Sequence, residues 1–300
     1  MRVAVSGASG LVGSALLDSL RRDGHEAIPM IRAGSENSAD TAEGFAWDVE
    51  EGRLDPEDLR GLDAIVHLAG ENIASGRWSE ARKQRIRNSR VRGTRLIAES
   101  LAALGEPPPV FVSASAIGFY GDRGDDWLTE QSLLGEGFLA DVCWRWEAAA
   151  EAARQAGVRV VHPRFGLIVS GRGGALARML RPFKLGAGGI LGKGAQWMSW
   201  IHLEDAVGAI RHLLVTEGLK GPVNIVSENP VTNREFTKTL GRVLSRPTIL
   251  PMPMAMVRAA FGEMGDELLL ASTRVDGSLL RRSGFVLRFP DLESAFRSEV

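Results

Sequence analysis

The chain has 300 residues, 36 Lys and Arg against 37 Asp and Glu, and 44% hydrophobic residues. Charge so nearly balanced favours neither nucleic acid nor membrane as a partner, and the hydrophobic content suits one large core, or one domain with an appended lobe. No segment approaches the run of about 18 apolar residues that a membrane helix needs, and a single cysteine, Cys143, excludes an internal disulfide and a multi-cysteine zinc site. A strand signal at the very start leaves no room for a signal peptide, so the expected compartment is the cytoplasm.

Residues 3–5 form a β-branched run leading into Gly7-x-x-Gly10-x-x-Gly13, and a helical pattern through Leu16, Leu17 and Leu20 follows. Strand, glycine turn and helix in that order make the phosphate-binding turn of a dinucleotide fold. Gly7 permits the tight turn, Gly10 lets the backbone approach a pyrophosphate, and Gly13 lets helix and strand pack closely. Gly7, Ala8, Ser9, Gly10, Leu11, Val12 and Gly13 are therefore the first predicted cofactor contacts, with the helix N-terminus facing the pyrophosphate. The second strand, 27–31, ends at Arg32. An NAD site wants an acid about 20 residues past the glycines, on the ribose 2′-hydroxyl. A guanidinium suits a 2′-phosphate instead, in a contact of about 1.5–3 kcal/mol, or about 10- to 150-fold in affinity. The expected cofactor is NADP(H) in preference to NAD(H).

Strands at 64–68, 110–112 and 158–161 alternate with helical stretches near 77–104 and 138–156. This pattern predicts an α/β fold, a Rossmann-type doubly wound parallel sheet with helices on both faces and ligands at the strand C-termini. The helix near 77–95 carries Arg77, Arg82, Lys83, Arg85, Arg87, Arg90, Arg92 and Arg95 against Glu80 alone. These charges spread around the helix instead of forming one stripe, which favours a solvated helix over a site for a phosphorylated ligand or RNA.

After about residue 166 the pattern changes. Residues 171–194 hold eight glycines and read as a mobile loop. Gln196, Trp197 and Trp200 beside it read as a substrate wall or as lobe packing. A helix over 203–215 begins with His202, a pocket-facing or capping histidine, and Asp205, a first-turn acid. Residues 222–226 return to the sheet, and 230–300 hold short helices broken by Pro247, Pro251, Pro253 and Pro290. The expected division is a dinucleotide-binding domain of 1–169 with the return of 203–227, and a smaller C-terminal substrate-side lobe of 170–202 and 228–300. Five scattered histidines without HxH or HxxxH spacing predict no metal site.

These pieces together resemble the extended short-chain dehydrogenase/reductase superfamily, of the sugar-nucleotide epimerase type. The likeness rests on the glycine turn, Asp48 after a strand, Val66-His67-Leu68-Ala69-Gly70, Val91-x-Gly93-Thr94, Ser113-Ala114-Ser115, Tyr120-Gly121, Pro163-Arg164 and Trp200-Ile201-His202-x-x-Asp205. More closely, the chain resembles the atypical "epimerase family" subgroup whose C-terminal segment is a domain of unknown function. That likeness is carried by SASAIGFYG (113–121), PRFGLIVS (163–170), GKGAQWMSWIHLEDAV (192–207), GPVNIVSENPVTNREF (221–236) and GFVLRFPDLESAF (284–296). The resemblance implies Asp48 near the adenine, Leu68, Ala69, Gly70 and Ser113 along the cofactor, and Pro163 near the nicotinamide. It also implies Ser115 as the hydroxyl that holds a substrate oxygen, and relatives that often dimerise through two helices, so monomer and homodimer both stand open.

One departure matters. Most members of the superfamily use a Tyr-x-x-x-Lys pair, in which the lysine lowers the tyrosine pKa for proton exchange during hydride transfer. This chain has one tyrosine, Tyr120, and Gly124 stands four residues later. Alignment of the helix through Glu147 puts Leu139 at the tyrosine position and Cys143 at the lysine position. Ser115 and Tyr120 remain the candidate catalytic residues, and Gln196, Trp197, Trp200 and His202 the candidate substrate contacts. The expected function is an NADP(H)-binding oxidoreductase or epimerase-like enzyme for a small polar or sugar-derived substrate. The alternative is a catalytically silent NADP(H)-binding redox sensor or scaffold.

Overall fold

The computed structural model describes residues 1–34 and 44–300. In chain order it begins β1 (Arg2–Ser6), α1 (Leu11–Arg22), β2 (Glu26–Arg32), β3 (Phe45–Trp47), β4 (Ala64–His67), α2 (Glu80–Ala102), β5 (Val110–Ser113) and β6 (Ser115–Ala116). There follow β7 (Trp127–Leu128), α3 (Phe138–Ala148), α4 (Glu151–Gln155), β8 (Arg159–Phe165), β9 (Leu167–Val169) and α5 (Gly174–Lys184). Next come β10 (Trp197–Met198), β11 (Trp200–His202), α6 (Leu203–Val215), β12 (Gly221–Ile225), α7 (Asn233–Val243) and α8 (Met254–Phe261). Beyond them lie the short helices Ser278–Arg282 and Leu292–Arg297.

The main sheet runs β12-β8-β5-β4-β1-β2-β3, with β6 pairing β8 where the line of β5 breaks. Its pairings are parallel throughout. Both faces are covered, which is why the strands read as unbroken apolar runs and not as alternations. Val3, Val5, Val66, Val112, Val161 and Val223 pack against Leu16, Leu20, Ile210 and Leu213 of α1 and α6. Ala4, Ile65, Phe111 and Val160 pack against Ile97, Ala98, Leu101 and Ala153 of α2 and α4. The strand order reverses direction at β1, so the connections that leave β1 and β4 pass to opposite faces of the sheet and open the crevice where open α/β sheets hold ligands.

The C-terminal part has its own core, in which Trp200, Phe236, Leu240, Phe296, Leu176 and Phe183 are buried together. Here the expectation of a glycine loop over 171–194 is corrected, because residues 174–184 form α5. Leu176, Leu180 and Phe183 share one buried face at helical spacing. The glycines fall at the ends of this helix, Gly173 as its cap and Gly174 as its first residue, and Gly186, Gly188 and Gly189 after it.

Candidate functional site

The glycine turn is held by backbone contact on two sides. Gly7 has φ +70°, and a Cβ there would lie 2.8 Å from the Ala69 nitrogen and the Leu68 carbonyl carbon. At Gly13 a Cβ would come within 2.1 Å of the Gly7 carbonyl oxygen. The Gly10 N–H closes the turn on the Gly7 carbonyl at 2.9 Å. Gly10 is also the N-cap of α1 and supplies no side-chain acceptor, so the first N–H groups of the helix are left for an external anion. The turn opens on a cleft of about 500 Å³, lined by Ser9, Gly10, Leu11, Ser14, Asn72, Arg172, Gly173 and Gly174. The start of α5 therefore faces the start of α1, and methyl groups of Leu11 lie 3.4 Å from where Cβ atoms of Gly173 and Gly174 would stand. Arg172 was not among the expected residues. The signal available was an arginine directly before a glycine pair and an amphipathic run.

The other expected cofactor residues are placed as follows. Arg32 is exposed at the end of β2. Asp48 accepts from the backbone N–H groups of Glu50 and Glu51, both at 3.0 Å, and turns the chain after β3. The Leu68 N–H bonds the Ser6 carbonyl across the switch point at 3.2 Å, and Ala69 and Gly70 follow it to the crevice. Ser113 is fully buried, with no hydrogen-bond partner for its hydroxyl among the described residues. Pro163 sits inside β8, opposite Val223.

A closed polar network lies where β6 pairs with the end of β8. Ser115, 2% exposed, donates its hydroxyl to Glu147 Oε1 at 2.6 Å. Arg164 donates to both oxygens of Glu147, each at 2.8 Å, and to the Tyr120 hydroxyl at 3.0 Å. Tyr120, 0% exposed, donates in turn to Asn224 Oδ1 at 2.7 Å. The Arg164 guanidinium also lies 3.5 Å from the centre of the Phe119 ring. Burial raises the Tyr120 phenol above its ordinary range, with Arg164 and Asn224 pulling the other way. Tyr120 thus stands in the interior with its proton committed, and the Ser115 proton is committed to Glu147.

Helix α3 presents apolar groups where the superfamily's pair is expected. Leu139 and Cys143 are buried and pack toward Gly118, whose Cβ would lie 3.3 Å from Leu139 Cβ and 3.8 Å from Cys143 Sγ. Burial pushes the Cys143 thiol up to about 12, so it stays protonated and unreactive at neutral pH. The N-terminus of α3 is capped from far along the chain. Glu267 Oε1 accepts from the Phe138 N–H and Oε2 from the Leu139 N–H, both at 2.7 Å. Gly137 makes room for that carboxylate, since a Cβ there would meet Glu267 Oε1 at 3.0 Å.

The expected substrate residues do not line one surface. Gln196 donates to the carbonyls of Leu191 and Leu269. Trp197 donates to Asp125 Oδ1 at 2.8 Å and, with Trp127, sandwiches the Arg274 guanidinium at 4.1 and 4.2 Å. Trp200 is fully buried in the core of the lobe, its indole N–H on the Asn229 carbonyl. His202 caps α6 by accepting from the Glu204 N–H and pairs with Glu299 at 3.0 Å. Burial lowers its pKa against the pull of Glu299. Glu299 also accepts from the Gly171 N–H at 2.7 Å, which ties the C-terminal segment beneath the loop that carries Arg172.

Comparison with known proteins agrees with this architecture. The model of the NAD dependent epimerase/dehydratase family matches residues 3–225, and that of a domain of unknown function (DUF1731) matches 252–299. "Epimerase family protein MT2273" of Mycobacterium tuberculosis is 44% identical over 283 residues, 94% of this chain and 92% of the relative. The crystal structure of human epimerase family protein SDR39U1 (isoform 2) with NADPH superimposes with TM-score 0.90 at 33% identity, covering 99% of this chain and 98% of that one. A nucleoside-diphosphate sugar epimerase from Corynebacterium glutamicum superimposes with TM-score 0.78 at 35% identity, over all of this chain and 58% of its own. No helix among the described residues is long and apolar enough to cross a membrane.

Proposed function

The chain belongs to the NAD dependent epimerase/dehydratase family, and from that premise we propose that it is an NADP(H)-dependent oxidoreductase or epimerase-like enzyme acting on a small polar or sugar-derived substrate. The observation that carries this reading is the cradle at Gly7, Gly10 and Gly13, where added Cβ atoms would strike backbone and where the N-terminus of α1 lacks a side-chain cap. That geometry suits a diphosphate. The human relative crystallised with NADPH supports the same cofactor class.

In this reading the backbone of 7–13 holds the diphosphate and Arg32 the 2′-phosphate. Asp48, Leu68, Ala69, Gly70, Ser113 and Pro163 border the rest of the dinucleotide. When bound, the cofactor exchanges a hydride at its nicotinamide ring. No proton comes from α3, whose facing groups are Leu139 and a neutral Cys143 thiol. Tyr120 is enclosed and serves the network instead of the substrate. Ser115 then acts as a conduit. Its oxygen takes the proton of a substrate hydroxyl while its own proton passes to Glu147 Oε1, and Arg164 keeps that carboxylate in place. Reduction of a carbonyl runs the same path backward.

One observation favours a second reading, a silent NADP(H)-binding sensor or scaffold: Ser115 is only 2% exposed and α3 offers no acid. Calorimetric titration with NADPH and with NADH, on wild type and Arg32→Ala, tests the first reading. NADPH is expected to bind more tightly, and Arg32→Ala to lose about 10- to 150-fold of that affinity. Failure of both dinucleotides to bind folded, cofactor-free protein would sink it. A carbonyl and sugar-nucleotide screen then separates enzyme from sensor, because turnover excludes the silent form.

A further inference from the structure

Among the basic residues of α2, the half-buried ones are matched to acids with one exception. Lys83 pairs with Glu263 at 3.0 Å, Arg87 with Asp141 at 3.2 Å, and Arg82 reaches Glu71 at 3.4 Å. The exposed Arg92 reaches Glu50 at 3.3 Å. Arg90 has no carboxylate partner among the described residues. Its Nη1 donates to the carbonyls of Glu71 and Ile86, at 3.0 and 3.1 Å. Its guanidinium lies 5.1 Å from the Trp146 ring centre, and the Trp146 indole N–H is itself buried without a partner among the described residues. Nε and Nη2 of Arg90 bond to nothing among the described residues.

Carbonyls and a ring face therefore hold the half-buried Arg90 guanidinium in place, while Nε and Nη2 stay open to an acceptor. Burial lowers the pKa of Arg90, with the Glu71 charge pulling the other way. Its surroundings point to a ligand. The guanidinium carbon lies 3.1 Å from where a Cβ of Gly70 would stand, and Nη1 and Nη2 3.3 Å from it, so a glycine there lets the loop that follows β4 lie close beside the fork. That loop touches Gly7 at the switch point. On its other side Arg90 stands close enough to Cys143 for its charge to act on the thiol.

We propose that Arg90 is an anion-binding residue of this site, its open Nε and Nη2 taking a phosphate or carboxylate group beside the loop that carries Gly70. The planar fork suits either group. The site's positive charge then comes from α2, while α3 carries a neutral thiol at the position expected for lysine. Two sources can supply the anion, the diphosphate of the dinucleotide or an acidic group of the substrate. The first rests on the cofactor reading above.

The test uses the full chain as wild type, Arg90→Met and Arg90→Lys, each with its urea midpoint measured. Calorimetry follows NADPH, 2′-AMP (which has no phosphate of the diphosphate) and inorganic phosphate, the last on free and on NADPH-saturated protein. If Arg90 holds the cofactor diphosphate, Arg90→Met weakens NADPH by about tenfold or more, leaves 2′-AMP within twofold, and Arg90→Lys recovers part of the loss. If it holds a substrate anion, NADPH is unchanged and phosphate binding to the saturated protein is lost in Arg90→Met. Equal weakening of NADPH and 2′-AMP marks a structural role and overturns the proposal, as does no change in any titration. Should wild type bind neither NADPH nor 2′-AMP, the cofactor reading fails, and loss of phosphate binding to the free protein in Arg90→Met still decides for or against Arg90.

Discussion

Gly13→Ala is a stringent perturbation of the glycine turn. The new Cβ would sit 2.1 Å from the Gly7 carbonyl oxygen and 2.8 Å from its carbon, where ordinary contact begins near 3.4 Å. Both neighbours are backbone, so no side chain can rotate away. Relief requires α1 and the turn to separate by roughly 1 Å, at a stability cost of about 1–3 kcal/mol. Hydrogen bonds of about 2.9 Å from the first turn of α1 to a diphosphate would stretch to near 4 Å and cease to count. Two such charge-assisted bonds are worth about 3–6 kcal/mol, or about 10²- to 10⁴-fold in NADPH affinity. Calorimetry with NADPH, run beside urea unfolding, reads both effects. Gly24→Ala is the control, because Gly24 has φ +75° but nothing within 4 Å of its Cβ position; it should cost about 1 kcal/mol of stability and leave affinity alone. A folded Gly13→Ala protein that binds NADPH within threefold of wild type would refute the reasoning.

Glu267→Ala removes both acceptors from the N-terminus of α3 and is expected to lower stability by about 2–4 kcal/mol, with faster hydrogen exchange at the Phe138 and Leu139 amides; unchanged exchange there would show that the cap contributes nothing. Tyr120→Phe strands Asn224 Oδ1 and one Arg164 donor and should cost about 1–3 kcal/mol while NADPH affinity stays within twofold, whereas a large loss of affinity would place the phenol in the cofactor site. His67 is fully buried, with Nδ1 2.6 Å from the Ser6 hydroxyl, and burial, aided by the Arg90 charge, lowers its pKa from 6.5 to about 3. Between those values the unfolded chain binds a proton that the folded chain refuses, so stability is complete above about pH 6.5 and declines toward pH 3, by on the order of 4 kcal/mol across the window. Urea midpoints measured against pH should show that slope in wild type and lack it in His67→Gln; parallel curves would remove His67 from the account.

Much of this architecture follows from local pattern. Residues 11–22 and 203–215 carry one apolar face each and form helices over those spans. The β-branched runs became strands because both faces of the sheet are buried. Helix α5 is obscured in the sequence by the glycines at both its ends, although Leu176, Leu180 and Phe183 have helical spacing. In the candidate site the shape of the glycine turn follows from local pattern, because those residues act through their own backbone. Ser115 and Tyr120 stood out as isolated hydroxyls, yet their partners Glu147, Arg164 and Asn224 arrive from α3, β8 and β12, and no local spacing announces that meeting. His202 is the converse, a residue whose capping role was visible beside its pocket role. Arg90 was lost among eight basic residues of similar spacing, since solvation differs among them only after α3 and the loop after β4 pack against α2.

The cap on α3 also bears on modularity. The two family models meet this chain at 3–225 and 252–299, as though the second were a detachable unit. Glu267 lies in the second and closes the first turn of a helix in the first, across 129 residues of chain. A chimera that exchanges C-terminal segments between relatives must therefore carry the acid at 267 and the glycine at 137 as one heritable pair. A graft that brings a side chain to 137 pushes the carboxylate away, and one that omits the acid leaves α3 uncapped beside the crevice.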